Sequence, residues 1–364
     1  MTKIKQILSF IVLAIAILVA LGTLATAYAG NINPMDSKIA PLLCMTFPYW
    51  IVASLVVIVI SFFVKKRYSL IPLMALVICW ESILLICPLN LFSSHNNNGS
   101  NTFTLLSYNA YNFKGFDKSN TDEDSNATLN YIATTDADIV CLQECEYLSP
   151  IHRWNVYKKQ VNEIKKQYPY RIIGVEHGQS IFSKYPVKEI FKEGYFSHFV
   201  VDMPNGSSID IIDVHLKSIP LTAKDKQQYN DAISDIVNST NSKEISSLKN
   251  IMKKISYAAQ KRALQANKLS QYIHSIENEN IIICGDFNDV PGCYAINTIA
   301  DDDFDDAYTE CGFGPMNTYH GNNINFRIDH VLYKGDIEAV SFSRGNVKYS
   351  DHYPLFVRFS WDND

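Results

Sequence analysis

Polar side chains stand at the ends of several apolar, strand-like segments of this 364-residue sequence. The clearest case is IIICGDFNDVPG, in which an apolar run leads into Asp286 and Asn288 before Pro291 and Gly292 break the chain. Because side chains alternate along an extended strand, Asp286 and Asn288 are predicted to project together, with Phe287 facing the opposite side. An ordinary turn rich in Asp and Asn has the same local pattern, so the choice depends on the rest of the chain.

The same pattern recurs where other strand-like segments end. The segments LLSYNAYN, IVCLQE, IIDVHLKS, FRIDHVLY and YSDHYPLF carry Asn109, Glu144, His215, Asp329, His330, Asp351 and His352. Carboxylate and amide oxygens are hard ligands, which suit Mg²⁺ or Mn²⁺, and histidines can act as an acid, a base or a phosphate contact. The set therefore predicts a metal-assisted phosphoryl-transfer site, and no Ser or Cys is placed as a nucleophile.

The elements that must position these residues lie in the second part of the chain. From about Thr102, short strand-like runs are separated by turns and by helix-like stretches, of which Asp124–Thr134 and Glu244–Ile276 are examples. The segment Pro220–Lys243 is predicted to be a loop or short-helix insertion. This order of elements predicts one α+β domain over 102–364, with two sheets covered by helices.

Taken in order, these motifs resemble the endonuclease/exonuclease/phosphatase superfamily, whose fold deoxyribonuclease I and the neutral sphingomyelinases share. The resemblance covers about Thr102 to Phe359, and its strongest parts are LQE, GDFN and SDH. It implies a four-layer α/β/β/α sandwich of two packed mixed sheets. It also implies a phosphoesterase, more specifically a phosphodiesterase or nuclease, that uses Mg²⁺ or Mn²⁺.

The resemblance implies a metal site and one structural histidine. Glu144 matches the principal metal ligand of the family, and Asn109 and Asp351 match residues that order the metal or its waters. His330 matches no catalytic position of the family, so we interpret it as structural.

The resemblance also implies the catalytic residues. Asp286 matches the residue that orients or activates the attacking water, and Asn288 matches one that binds phosphate oxygens or that water. His215 and His352 match the paired histidines that contact the phosphate and move protons. Asp329 matches the acid that hydrogen-bonds His352 and fixes its tautomer. The carboxylate partner expected behind His215 is not evident in the sequence.

Residues 1–92 are predicted to anchor the protein in a membrane. Three apolar runs, at about 7–28, 42–64 and 68–91, each reach the roughly 20 residues that a spanning helix needs. The basic cluster Lys65–Arg67 lies between the second and third runs. The positive-inside rule places this cluster and the N-terminus in the cytoplasm, and therefore places the catalytic domain outside it.

One feature of this anchor leaves an alternative open. The first run ends in Ala27-Tyr28-Ala29, so it also resembles a signal peptide with its cleavage site.

The polar, Asn-rich stretch 93–101 is predicted to be a linker. In an oxidising compartment Cys145, Cys293 and Cys311 can pair, but the sequence does not choose the connectivity.

The substrate stays open at this stage. Nucleic acid, a phospholipid headgroup and a small phosphoester all fit, although a net charge of −5 gives no general argument for nucleic acid. A lipid bilayer is the one partner that we infer besides the substrate, and no protein partner is inferred. The alternative function is a non-catalytic, membrane-anchored binding module on a degenerate phosphoesterase fold.

Overall fold

The chain folds into two compact units that alternate along the sequence. The structure, a computed structural model, describes residues 3–90, 101–115, 121–122, 125–146, 157–174, 178–222, 225, 227, 242–321 and 325–361. The first unit comprises Met1–Pro88, Ile219–Asn267 and Val290–Ile299, and the second comprises Leu89–Ser218, Lys268–Asp289 and Ala300–Asp364. The first unit thus contains two segments that the sequence assigned to the catalytic domain. The predicted linker 93–101 lies outside the described residues except for Asn101, and so does most of Pro220–Lys243.

Two long apolar helices, α1 (Lys3–Ala27) and α2 (Ala40–Lys65), lie in the first unit. They pack through the side chains of Ala16, Val19 and Val57, beside a buried hydrogen bond between the hydroxyl groups of Thr23 and Ser54. Their other faces expose large apolar side chains, among them Phe10 at 71% and Phe63 at 81%. The stretches Lys3–Asn31 and Ala40–Ile78 are long and apolar enough to cross a membrane, by length and composition alone.

The third predicted membrane helix is divided. The structure forms α3 (Leu70–Ile78) and α4 (Trp80–Ile86), separated by Cys79 with φ −89° and ψ 17°. Backbone hydrogen bonds from Cys79 to Ala75 and from Ile83 to Cys79 continue the helical path across the break. The run predicted as one helix over 68–91 is therefore two short helices, and the described residues contain two membrane-length stretches instead of three.

Two mixed six-stranded sheets form the second unit. The first has the order β13-β14-β1-β4-β6-β5, and its strands are Ile337–Arg344, Leu355–Trp361, Thr102–Asn109, Ile139–Gln143, Ser180–Ser183 and Tyr170–Ile173. The second has the order β11-β12-β10-β9-β8-β7, and its strands are Asp305–Asp306, Asp329–Lys334, Ile281–Asp286, Ser208–His215, Phe196–Asp202 and Val187–Glu193. The two short strands β2 (Thr121–Asp122) and β3 (Ser125–Asn126) pair with each other in antiparallel direction.

A buried apolar layer joins the two sheets face to face. Leu105, Ile139 and Ile181 of the first sheet pack in one cluster with Ile211 and Ile282 of the second. These strands read as nearly continuous apolar runs because sheet contacts bury one face and helices bury the other. Burial of this layer is the main source of the unit's stability.

Helices cover the outer faces of the sheets. The helices α5 (Ala127–Thr134) and α6 (Lys158–Gln167) contribute Leu129 and Ile164 to a second buried cluster on the first sheet. The C-terminal turns of α7 (Ser242–Ile273) bring Tyr272 onto the second sheet, where its hydroxyl group lies 2.8 Å from His198 Nδ1 of β8. The predicted arrangement of two packed mixed sheets flanked by helices is confirmed.

The helix predictions hold with shifted ends. The helix predicted at Asp124–Thr134 begins only at Ala127, because the side chain of Asn126 caps it by accepting from the Leu129 N–H. The helix predicted at Glu244–Ile276 is formed as α7. Two further short helices are α8 (Tyr294–Ala300) and α9 (Ala307–Cys311).

Candidate active site

Three site residues occupy one row across neighbouring strands. Asp286, at the end of β10, is in register with His215 at the end of parallel β9 and with Asp329 at the start of antiparallel β12. Gly285 has a φ of +132°, and a Cβ there would lie 2.1 Å from the carbonyl oxygen of Val214. Glycine is therefore required where β10 approaches β9, and the row follows from strand pairing alone.

Asn109 connects this row to the other sheet. It ends β1, beside Gln143 at the end of parallel β4, and Glu144 follows directly. The Asn109 side-chain amide donates to Glu144 Oε1 (3.2 Å) and to Asp286 Oδ2 (3.0 Å). Glu144 has a left-handed backbone with φ 48°, and its carbonyl oxygen accepts from the Asn112 N–H at 2.6 Å. The two sheets thus bring their carboxylates together through one amide group.

Asp286 lies at the centre of the cluster. Its side chain is 2% exposed, and its Oδ2 atom lies 3.6 Å from His352 Nε2 and 3.8 Å from His215 Nε2. Burial raises the pKa of Asp286 to about 6, although the positive charge of His352 opposes the rise. Such a carboxylate is a suitable proton acceptor near neutral pH.

His352 is held from behind by Asp329. Its Nδ1 atom lies 2.8 Å and 3.0 Å from the two oxygens of the Asp329 carboxylate, and both side chains are buried. Burial favours the neutral ring, but the charges of Asp329 and Asp286 outweigh it and raise the pKa of His352 to about 10. The Thr318 hydroxyl group accepts from the Asp329 N–H at 3.0 Å and fixes the start of β12. The Nε2 atom of His352 therefore faces Asp286 as a proton donor.

His215 has carboxylates in front of its ring. Its Nε2 atom lies 3.6 Å from Glu144 Oε1 in addition to the contact with Asp286, and its side chain is 22% exposed. Glu144 and Asp286 both contact Nε2, the ring nitrogen that faces the cluster, so Glu144 is not the carboxylate partner that was expected behind the ring.

Asn288 differs from the prediction. Strand β10 ends at Asp286, and Asn288 has a left-handed backbone with φ 52°. The alternation of an extended strand therefore stops before Asn288. The Asp286 Oδ1 atom accepts from the Asn288 N–H (2.8 Å), and the Asn288 side-chain amide donates to the Leu216 carbonyl oxygen (3.1 Å). Phe287 is buried and faces the His330 ring, as the prediction of an opposite face requires.

Asp351 and His330 lie beside the cluster in different ways. The Ser350 hydroxyl group donates to the Asn109 carbonyl oxygen (2.7 Å) and lies 3.4 Å from Asp351 Oδ1, so it ties the SDH segment to β1. His330 Nε2 lies 3.1 Å from the Asp289 carbonyl oxygen, and His330 Nδ1 lies 3.5 Å from Asp306 Oδ2. These contacts are those of a packing residue. Sequence reasoning missed Ser350 as a tie, although the SDH motif contains it.

The cluster has the donor set of a divalent-metal site. Ligand atoms of Glu144, His215 and Asp286 all lie within 4.8 Å of one another, and a second such group is Asp286, Asp329 and His352. The first group contains the predicted ligand Glu144, which is partly exposed, whereas in the second group His352 and Asp329 already pair with each other. The Oδ1 atom of Asn109 accepts from the Tyr111 N–H, so here Asn109 orients the two carboxylates. Metal ligation by Asn109 and Asp351 stays a prediction.

Known proteins match both parts of the chain. Residues 106–352 match the Endonuclease/Exonuclease/phosphatase family, and residues 9–85 match a domain family of unknown function. A search of curated proteins finds no match.

Similar solved structures include an endonuclease/exonuclease/phosphatase from Beutenbergia cavernae, with 14% identity, 72% of each chain covered and a TM-score of 0.48. Humanized D. rerio TDP2 has 16% identity, with 71% of this chain and 99% of that chain covered and a TM-score of 0.44. Sphingomyelinase C from Streptomyces griseocarneus has 12% identity, with 71% and 99% covered and a TM-score of 0.41.

Proposed function

We propose that this protein is a membrane-anchored phosphodiesterase that depends on Mg²⁺ or Mn²⁺. The chain belongs to the Endonuclease/Exonuclease/phosphatase family and is therefore a hydrolase of phosphoric ester bonds. The observation that carries the proposal is the buried Asp286 carboxylate, which the Asn109 amide and the Nε2 atoms of two histidines surround. A purely structural cluster has no need for two imidazoles that face one carboxylate.

The proposed reaction is in-line attack of water on phosphorus. Asp286 orients the water and accepts its proton. His352, oriented by Asp329, donates from Nε2 to a phosphoryl or leaving oxygen, and His215 contacts the phosphate from the other side. Asn288 binds phosphate oxygens or the water. A divalent cation held by Glu144, with Asn109 and Asp351 beside it, would supply positive charge against the phosphoryl oxygens.

The substrate class follows from the proposed anchoring. A site confined near a bilayer meets phospholipid headgroups at high local concentration, so lipid is favoured over nucleic acid and small phosphoesters. The full chain in detergent micelles or vesicles should be assayed against sphingomyelin, phosphoinositides, DNA and an aryl phosphodiester, with Mg²⁺, Mn²⁺ or chelator. Metal-dependent hydrolysis of any one supports the proposal. A folded protein that binds these compounds and hydrolyses none indicates the non-catalytic binding module.

Membrane anchoring is supported by the exposed apolar faces of α1 and α2. Side chains such as Phe10 and Phe63 are too exposed for a protein surrounded by water on all sides. In the proposed multi-pass orientation, Lys65–Arg67 is cytoplasmic and the catalytic domain lies outside the cytoplasm. A reporter fused near Lys66 should behave as cytoplasmic and one fused after Phe92 as extracytoplasmic, and reversed results contradict this orientation. An N-terminal tag that is lost on export shows instead that α1 is a cleaved signal peptide.

A further inference from the structure

Two cysteine side chains meet inside the first unit. The Sγ atoms of Cys44 and Cys293 lie 2.8 Å apart, with both side chains in the thiol form. This separation is shorter than the roughly 3.5–4.0 Å of favourable contact between carbon atoms, although sulfur is the larger atom. The two residues are 5% and 2% exposed and pack with Ala29 and Val290. Two thiols this close and this buried are positioned to form a disulfide bond.

The backbone around the two thiols is fixed independently of them. A Cβ on Gly30 would lie 1.7 Å from the carbonyl oxygen of Gly292, so the two segments touch through their backbones. The Asn297 side-chain amide donates to Asn31 Oδ1 at 3.2 Å. The next contact along the chain is from the Asn33 side-chain amide to the Tyr294 hydroxyl group, at 3.1 Å. The segment 29–33 and the segment 292–297 are therefore aligned by several contacts, and the thiols meet as a consequence.

The same loop is also fastened to helix α7. The Gln260 side-chain amide donates to the Pro34 carbonyl oxygen (3.1 Å), and the Ser256 hydroxyl group donates to the Lys38 carbonyl oxygen (2.7 Å). The connection between α1 and α2 thus has polar contacts along its length, which keep the start of α2 and Cys44 in place. A disulfide has an S–S bond of about 2.03–2.05 Å, so the two sulfur atoms need to approach by only about 0.8 Å.

We propose that Cys44 and Cys293 form a disulfide bond in the native protein. The inference rests on the proposed orientation of the anchor. Cys44 is the fifth residue of α2, about 6 Å along the helix from Ala40, and in that orientation this end of α2 faces the extracytoplasmic side, where disulfides persist. The pairing replaces the predicted choice among Cys145, Cys293 and Cys311. In the structure Cys145 donates to the Gly178 carbonyl oxygen and Cys311 to that of Ala339.

The bond forms by thiol–disulfide exchange with an external oxidant. A protein disulfide of a thiol oxidoreductase supplies the oxidising equivalents. One cysteine thiolate attacks that disulfide, forms a mixed disulfide and releases one partner thiolate. The second cysteine thiolate then attacks the mixed disulfide, which forms the Cys44–Cys293 bond and releases the second partner thiolate. Two electrons pass to the partner, and the two protons lost by the cysteines balance the two thiolates it gains. Because both cysteines are buried, this exchange accompanies folding.

The bond would join parts of the chain with different tasks. Cys44 lies in the anchor, whereas Cys293 follows Asn288 by only five residues along the chain. The disulfide would cross-link the apolar N-terminal part to the segment directly after GDFN.

The experiment uses the full chain in its own membrane. Thiols are trapped with an alkylating reagent before solubilisation, and a protease site inserted within 93–101 is cleaved. On a non-reducing gel the two fragments should stay joined in the wild type and separate when reductant is added. Cys44→Ser and Cys293→Ser should each abolish the joined band, whereas Cys87→Ser, a control in the same unit, should keep it. Peptide mapping should identify the linked pair.

A direct measurement keeps the test independent of whether the variants fold. In wild-type protein, alkylation of both Cys44 and Cys293 without reductant overturns the proposal, and so does a link from Cys293 to another cysteine. Phosphodiester hydrolysis is measured on the same preparation. Activity without the link refutes this inference alone, and the link without activity refutes the proposed function alone.

Discussion

Replacing Asp286 by Asn tests the proposed chemistry most directly. The two oxygens of the carboxylate each accept a hydrogen bond, one from the Asn288 N–H at 2.8 Å and one from the Asn109 side-chain amide at 3.0 Å. An Asn side chain can keep the first bond through its single oxygen, and its NH₂ group then faces the NH₂ group of Asn109. Asn109 retains its bond to Glu144, so the turn should stay in place.

The two expected magnitudes differ. The lost hydrogen bond has a charged acceptor and is worth about 1.5–3 kcal/mol of stability, which corresponds to a melting temperature lower by about 3–12 °C in a domain of this size. Turnover should fall about 10²–10⁴-fold, because the proton acceptor is lost and the Nε2 atom of His352, 3.6 Å away, loses its charged partner. Substrate binding should change little.

Asp138→Asn is the matched control. Asp138 immediately precedes β4, the strand whose other end leads to Glu144, and its carboxylate accepts from the Thr104 N–H at 2.8 Å and pairs with Lys184 at 3.0 Å. Asn can keep the bond to Thr104, so the control should melt slightly lower and turn over normally. Steady-state kinetics and thermal melts of the full chain in micelles measure both quantities. Wild-type turnover in Asp286→Asn, or an equal loss in Asp138→Asn, refutes the reasoning.

Three further substitutions separate metal, substrate and packing roles. Glu144→Gln keeps the shape of the side chain and removes its charge, so the Mg²⁺ concentration for half-maximal rate should rise at least about tenfold, or about 1.4 kcal/mol, and an unchanged Mg²⁺ titration contradicts the ligand assignment. Asn288→Ala should raise KM and lower kcat, whereas a loss of stability alone would mean that Asn288 serves only the turn. Asp306→Asn breaks the buried pair with Arg327 (2.8 Å) and should cost about 3–5 kcal/mol, or about 6–20 °C in melting temperature; equal melts would contradict a stabilising pair. Burial raises the pKa of Asp306, but the interactions with Arg327 and His330 outweigh burial and hold this pKa well below its usual value. The stability advantage of the wild type over Asp306→Asn is therefore fully present above about pH 4 and should shrink as the pH falls further.

The strands could be predicted because their information is local. Each buried strand corresponds in the sequence to an apolar run followed by a polar residue. Both features can be recognised without knowing which strands lie beside it. The division of the third apolar run at Cys79 could not be predicted, because nothing in its composition marks where the backbone leaves helical geometry. The prediction that Asn288 projects beside Asp286 failed for a related reason. Side chains alternate only while the chain stays extended, and β10 ends at Asp286.

Long-range pairings set the other limit. The contact of His215 with Glu144 and the contact of Cys44 with Cys293 join residues far apart in sequence, and neither local pattern names its partner. The same holds for Asn109, whose amide is used for the two carboxylates while its oxygen is used for the Tyr111 N–H. Residue types and their order indicated a site at the strand ends, whereas individual hydrogen bonds needed the fold.

The row formed by His215, Asp286 and Asp329 has a consequence for variation among related sequences. These three side chains share one rung of backbone pairing, so an insertion of one residue inside β9, β10 or β12 turns a reacting group to the wrong face of its sheet. Insertions in the loops beyond the rung leave it untouched. Loop length is therefore free to change while strand length is not, and new substrates can be acquired by exchanging loops around unchanged chemistry.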